Sequence, residues 1–288
     1  MAAQQGPRAR VAGVVGSPIQ HSLSPVLHRA AYRALGLHEW SYERLERDAE
    51  GLHRLVGELD SDWVGLSVTM PGKQAALELA TTATERARTV GAANTLVRSG
   101  QGWAADCTDV DGVVGALRAA GGFAGGDSAL LLGAGGTALA ALAAFAELGI
   151  SEVTLAVREP TRAGSAVATA ERLGLRIRTL RLHETELTSV AGAADVVVST
   201  LPAGALDERA GELTGAGCLL DVVYHPWPTA PARAVTSAGG RLATGLDMLL
   251  HQSFGQVEQF TGLPAPREAM RDALYEATGG ELPLPLEG

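Results

Sequence analysis

Ala129-Leu130-Leu131-Leu132-Gly133-Ala134-Gly135-Gly136-Thr137-Ala138 is the stretch whose reading decides the fold. The apolar residues over 129–132 read as a buried strand, and the alanine-rich run over 137–148 reads as a helix. Between them stands Gly-x-Gly-x-x-Ala, and a second strand is predicted over 153–157. Glycines at a strand end allow a tight turn and a close approach of backbone to a ligand. The helix that opens there aims its unpaired N–H groups and positive dipole end at the same spot, which suits a pyrophosphate. The glycine pattern alone is weak. With a strand before it, a helix after it and a strand beyond, it predicts a Rossmann-type dinucleotide unit.

The end of the second strand bears on which dinucleotide. It reads Ala156-Val157-Arg158-Glu159-Pro160-Thr161-Arg162. An acidic residue there takes ribose hydroxyls, whereas an arginine accommodates a 2′-phosphate. Arg158 and Arg162 can clamp a phosphate and stack on adenine, while Glu159 would repel it. Two arginines against one glutamate favour NADP, with NAD the lesser alternative. Three more strands are predicted, over 176–180, 195–200 and 219–223. The middle one ends at Leu201-Pro202-Ala203-Gly204, which can pass close to the cofactor.

Upstream, strands over 10–15, 40–45, 63–68 and about 91–97 alternate with helices over 26–35, 49–59, 73–80 and 84–89. Near-parallel strands in that order make a smaller α/β unit, with its ligand expected at their carboxyl ends. That groups Ser22, Ser24, Thr69, Lys73 and Asn94 at one edge. Ser24 also fits the N-cap of a helix with Pro25 in its first turn, whereas Ser22 has no comparable structural role. Among 23 lysine and arginine residues Lys73 is the sole lysine. Arginine stays protonated in proteins and lysine does not have to, so Lys73 reads as an acid/base group. Three carboxylates follow, at 106, 109 and 111. Asp106 fits a strand end and Asp111 a first helical turn; Asp109 stays open between cap and site. Helices over 245–260 and 266–277 close the chain, and the tail after Gly279 reads as loose.

The bulk numbers set limits. At 288 residues, 46% hydrophobic and 19% charged, the chain is an ordinary globular one of two domains. A net charge of −9 argues against a nucleic-acid surface. Residues 1–10 lack the apolar core of a signal peptide, and no apolar run approaches a membrane span of about 20 residues. Cys107 and Cys218 give no disulfide framework, so a cytoplasmic setting is expected. No His/Cys/Asp set has metal-ligand spacing.

Several ordered motifs then resemble those of the shikimate dehydrogenase family over nearly the whole chain. They are Val15-Gly16-Ser17-Pro18-Ile19-Gln20-His21-Ser22-Leu23-Ser24-Pro25, Ser67-Val68-Thr69-Met70-Pro71-Gly72-Lys73, Gly91-Ala92-Ala93-Asn94-Thr95 and Thr108-Asp109. Gly133-Ala134-Gly135-Gly136, Asp221-Val222-Val223-Tyr224-His225-Pro226 and Gly245-Leu246-Asp247-Met248-Leu249 with Gln252 complete the set. The resemblance implies a substrate domain over 1–111, an NADP domain over 112–245, and C-terminal helices over 246–288 packing on the first, with the active site in the cleft between the domains. It implies that Ser22, Ser24, Thr69, Lys73, Asn94, Asp109, Tyr224 and Gln252 bind shikimate or 3-dehydroshikimate. Lys73 and Asp109 would be the catalytic pair. Gly133, Ala134, Gly135, Gly136, Thr137, Ala138, Arg158, Arg162, Val222 and Gly245 would surround NADP. Monomer or homodimer is expected.

Three positions depart from the family pattern. Cys107 stands where the family usually has asparagine, Val157 where asparagine often precedes the phosphate-binding arginine, and Ser199-Thr200-Leu201-Pro202 replaces a polar loop. The rival readings are a quinate or aminoshikimate dehydrogenase using NAD, kept alive by Glu159, and a non-catalytic NADP-binding sensor.

Overall fold

The computed structural model describes residues 9–286, which separate into two units, each built on its own six-stranded sheet. The first unit holds the described residues up to Arg88, Ala92–Thr108 and Ser253–Pro283; the second holds Thr89–Gly91, Asp109–Gln252 and the described residues from Leu284 on. The divisions fall at 108/109 and 252/253, where 111/112 and 245/246 are expected, and Leu284, expected with the first unit, groups with the second.

In the first unit the chain runs β1 (Arg10–Gly16), α1 (Ser24–Ala34), β2 (Trp40–Glu46), α2 (Ala49–Glu58) and β3 (Trp63–Val68). It continues through α3 (Lys73–Leu79), the short β4 (Thr82–Ala83), α4 (Glu85–Val90), β5 (Thr95–Ser99) and β6 (Gly102–Asp106). The sheet order is β2-β1-β3-β5-β6-β4. Strands β1, β2 and β3 are mutually parallel as predicted, but β5 is antiparallel to both β3 and β6. The sheet is therefore mixed. The reason is the tight turn at Gly100 (φ +59°), which returns the chain as a hairpin where a parallel strand would need a helical crossover. Val15, Leu66, Val68, Leu96 and Ala105 from these strands meet Leu52, Leu55 and Ala76 of the helices in one apolar core.

The second unit runs α5 (Asp109–Ala119), β7 (Ser128–Leu132), α6 (Gly136–Glu147), β8 (Glu152–Val157), α7 (Gly164–Arg172) and β9 (Arg176–Arg181). Then come α8 (Leu187–Ala193), β10 (Val196–Ser199), β11 (Cys218–Asp221), α9 (Ala230–Ser237) and β12 (Arg241–Thr244). All pairings in this sheet are parallel, in the order β12-β11-β10-β7-β8-β9. Counted along the chain, that is the doubly wound order 3-2-1-4-5-6 of dinucleotide-binding domains, with its switch between β7 and β10. Strands buried on both faces explain the unbroken Leu130-Leu131-Leu132 and Val196-Val197-Val198 runs, all fully buried.

Helix α10 (Gly245–Thr261) begins in the second unit and ends in the first, where α11 (Arg267–Ala277) packs on α1. A capping box starts it. Asp247 Oδ2 accepts from the Thr244 N–H (2.8 Å) and hydroxyl (2.6 Å), and Thr244 Oγ1 accepts from the Asp247 N–H at 3.3 Å. The tail after Gly279 is not loose as expected. Leu284 is fully buried, and Pro285 O lies 3.1 Å from His251 Nε2. Cys107 and Cys218, one in each unit, are both buried, and no disulfide joins them.

Candidate active site

Strand direction gathers the predicted residues of the first unit at one sheet edge. Because β1 and β3 are parallel, the loops after Gly16 and Val68 leave from the same edge. Strand β5 runs the other way with Thr95 opposite Ser67, so Asn94, just before it, arrives there too. The backbone ties these loops together. Thr69 N–H donates to Val15 O (2.8 Å), Val68 N–H to Asn94 O (2.7 Å) and Ala93 N–H to Lys73 O (2.9 Å). Lys73 is half-buried as the first residue of α3.

Asn94 is held from behind. Asn94, 2% exposed, accepts from the Thr108 N–H (2.7 Å) and the Thr95 hydroxyl (3.0 Å) on Oδ1, and donates from Nδ2 to Thr108 Oγ1 at 3.0 Å. The backbone donor fixes which end of the amide is oxygen. Ser24 is not the N-cap that its sequence suggests. Helix α1 starts at Ser24 itself, after Leu23, with no side-chain cap. Ser22 takes the structural part instead, its Oγ accepting the Ser24 N–H at 3.3 Å, because Ser22 is the residue two places upstream of an unpaired first-turn donor. The Ser22 carbonyl is gripped in turn by Arg44, from Nε at 3.2 Å and Nη2 at 2.8 Å.

Behind the edge lies a buried hydrogen-bond chain that sequence reasoning missed. The Tyr42 hydroxyl donates to Ser67 Oγ (2.6 Å), and the Ser67 hydroxyl to Gln256 Oε1 (2.7 Å). Gln256 Nε2 then donates to Asn94 O and Thr95 Oγ1, both at 3.1 Å. His28 Nε2, 3.3 Å from Gln256 Oε1, must carry the ring proton, since that oxygen can only accept. Burial pushes the His28 pKa down to about 3, against the raising effect of the Gln256 bond, so the ring is neutral. Its Nδ1 has no hydrogen-bond partner among the described residues. The one signal for Gln256 was its place a helical turn after Gln252.

The three aspartates separate by environment. Burial acts to raise the Asp106 carboxyl, but hydrogen bonds from Arg86 and Thr84 outweigh it and hold the group below the usual carboxylate range. Arg86 grips both its oxygens (3.0 and 2.6 Å), and Gln259 Nε2 adds a third donor residue at 2.8 Å. Asp106 is structural. Asp111 is half-buried in the first turn of α5. Asp109 opens that helix, 5% exposed, one peptide bond beyond the Thr108 that holds Asn94. Cys107 is buried, its N–H donating to Asp106 Oδ1 at 2.8 Å.

In the second unit the glycine loop has the geometry that a pyrophosphate needs. Gly133 has φ +99°, and a Cβ built on it would lie 2.6 Å from Thr200 Oγ1, so only glycine fits. Gly135 caps α6 with no side-chain acceptor, and a Cβ built there would meet nothing within 4 Å. The first-turn N–H groups of a 12-residue helix thus face an open approach, with Ala134, Gly136 and Thr137 half-buried around it and Ala138 packed beneath. Arg158 and Arg162 are exposed, at the end of β8 and in the 3₁₀ turn Pro160–Arg162. Between them Glu159 is bound elsewhere. Its Oε1 accepts from Arg181 Nη1 at 3.0 Å, and Arg181, the last residue of β9, is the register partner of Val157. Nothing in the residues around Glu159 signals that pairing.

The remaining predicted residues of this unit lie just after β11 and on α10. Val222 and half-buried Tyr224 follow β11, and burial raises the Tyr224 hydroxyl pKa. A Cβ on Gly245 would stand 2.1 Å from Val222 O, so these two backbones touch. Gln252 is buried, its Nε2 donating to Leu249 O at 3.0 Å. Asp221 is structural, accepting from the Thr229 hydroxyl (2.7 Å) and the Val223 N–H (3.2 Å) to hold the turn after β11.

Comparison with known proteins fits this geometry. Residues 14–96 match the shikimate dehydrogenase substrate binding domain, and residues 245–275 match the shikimate 5′-dehydrogenase C-terminal domain. The chain is 32% identical to a shikimate dehydrogenase (NADP(+)) of Thermosynechococcus vestitus, over 95% of this chain and 98% of that one. The crystal structure of Mycobacterium tuberculosis shikimate dehydrogenase superposes with a TM-score of 0.87 at 53% identity, covering 93% and 99% of the two chains. A Thermus thermophilus shikimate 5-dehydrogenase solved in complex with NADP(H) and shikimate gives 0.80 at 32% identity, covering 93% and 99%.

Proposed function

The chain belongs to the shikimate dehydrogenase family, and on that footing we propose that it catalyses the NADP-linked interconversion of 3-dehydroshikimate and shikimate. The observation that carries this reading is the single sheet edge that collects Ser22, Ser24, Thr69, Lys73 and Asn94. Hydroxyls, an amide and one amine suit a polyhydroxylated carboxylate ring. The nicotinamide cofactor supplies the hydride. The protein's own task is the proton. In reduction Lys73 donates it to the carbonyl oxygen, and in oxidation the neutral amine removes it from the hydroxyl. Asp109 orients the substrate hydroxyl and the ammonium. Asn94 and Thr69 position the ring from the same edge, and Ser22 and Ser24 take its carboxylate end. Tyr224 and Gln252 complete the substrate set.

The nucleotide is held by the second unit. The N-terminal amides of α6 take the pyrophosphate, and Gly133 lets the turn form beneath it. Arg158 and Arg162 take the 2′-phosphate, and Val222 with Gly245 lines the far side. The Arg181 partner of Glu159 supports NADP over NAD, since the carboxylate that argued for NAD is already paired.

One spectrophotometric comparison tests the function: shikimate against quinate, each with NADP⁺ and NAD⁺, followed at the nicotinamide absorbance. Shikimate with NADP⁺ is expected to give the highest kcat/KM. Faster turnover of quinate would overturn the substrate, and preference for NAD⁺ would overturn the cofactor.

A further inference from the structure

Resting on the NADP reading, we infer that Arg181 is a specificity-determining residue for the cofactor, acting by masking Glu159. Glu159 sits at the carboxyl end of the second strand of the dinucleotide fold. There a carboxylate takes the ribose 2′- and 3′-hydroxyls of NAD and repels the 2′-phosphate of NADP. Arg158 before it and Arg162 after it give the opposite preference, so the local sequence is divided against itself.

The fold resolves the conflict with a residue 22 positions downstream. The β8–β9 register sets Arg181 opposite Val157, two residues short of Glu159, and its guanidinium reaches the carboxylate at 3.0 Å. Glu184 stands 3.5 Å from the Arg181 Nε, so one guanidinium serves two acids of this corner. The Glu159–Arg181 pair is partly open to water, with side chains 53% and 37% exposed. Such pairs contribute little to folding. The charge it cancels, however, lies next to the arginines that would meet a dianionic phosphate. Arg181 is thus a positioning residue: it acts through Glu159, which it keeps from serving as an NAD-type acceptor.

The test is a double-mutant cycle on the whole enzyme, with kcat and KM measured for NADP⁺ and NAD⁺ at low salt and saturating shikimate. Arg181→Gln unmasks Glu159 and is expected to lower the NADP⁺/NAD⁺ ratio of kcat/KM by about tenfold, through KM for NADP⁺, with the loss shrinking as salt rises. Glu159→Gln alone leaves the ratio within about twofold, and Arg181→Gln with Glu159→Gln restores it to the same range, because no carboxylate remains to repel the phosphate. An unchanged ratio in Arg181→Gln overturns the inference. So does a double variant as impaired as Arg181→Gln, since Arg181 would then be binding the phosphate itself. A wild-type enzyme that prefers NAD⁺ overturns the NADP reading and this inference together, so the two failures are told apart by the wild-type assay alone.

Discussion

Lys73 was legible by rarity, as the sole lysine of a chain that otherwise writes its positive charge as arginine. Its proposed work needs a group that releases its proton, and a guanidinium does not. Lys73→Arg is therefore expected to keep the far-UV spectrum and thermal midpoint while kcat falls about 10²–10⁴-fold. Near-normal turnover would sink the acid/base role. His28 supports a prediction of another kind. Its folded pKa, about 3, lies below the ordinary 6.5. The unfolded chain takes up a proton at His28 below pH 6.5 and the folded one does not, so the neutral ring's contribution is full above that pH. It falls away by about 1.4 kcal/mol per pH unit on acidification. Between pH 7 and 5, urea unfolding of His28→Phe should lose about 2 kcal/mol less stability than the wild type loses. Equal losses would mean that His28 is protonated in the folded protein. Neither Gln256 nor Arg181 could be read from the sequence. A glutamine in a helix and an arginine on a strand look like solvated surface residues until a fold sets a partner 3 Å away.

Elements were legible where the apolar pattern was long. The β7–α6–β8 unit announced itself, because strands buried on both faces show unbroken aliphatic runs. The hairpin β5–β6 did not. Residues 91–94, read as the start of a strand, serve as the edge loop that carries Asn94, and β5 begins only at Thr95. Strand β12 spans four residues, two of them apolar, too few to show a period. Contacts between helices were equally silent, and two glycines make them testable. A Cβ on Gly112 of α5 would lie 2.7 Å from the backbone Met248 O of α10, whereas one on Gly57 of α2 meets nothing within 4 Å. Gly57→Ala should raise stability by up to about 1 kcal/mol through helix propensity. The identical change at Gly112 should lower it, since displacing a packed helix costs about 1–3 kcal/mol and exceeds that gain. Denaturant midpoints of the two variants check the opposite signs.

At the scale of the whole molecule, two sheets with separate cores share one hydrogen-bonded helix, α10, whose 17 residues belong to both units. Losing either unit strips that helix of half its packing, so the molecule is expected to unfold in one transition. The tryptophans give the readout, because Trp40, Trp63 and Trp103 lie in the first unit and Trp227 in the second. NADP⁺ at a hundred times its Kd stabilises whatever unfolds with its site by about 2.7 kcal/mol. The emission of the first unit should shift its midpoint accordingly, and an unmoved midpoint would show that the units unfold separately. The sequence made the existence of two units plain, through the change from the smaller α/β pattern of the N-terminal half to the glycine loop and its flanking strands beyond. It did not show the tail anchored by Leu284, the middle one of three leucines that alternate with Pro283 and Pro285. The two thiols add a consequence of their own. Cys107 and Cys218 are buried in different units, and burial pushes the Cys218 thiol up to about 11. Neither reacts with an alkylating reagent until its own surroundings open. Timed alkylation followed by peptide mapping therefore clocks the breathing of each half of the molecule, without a single engineered label.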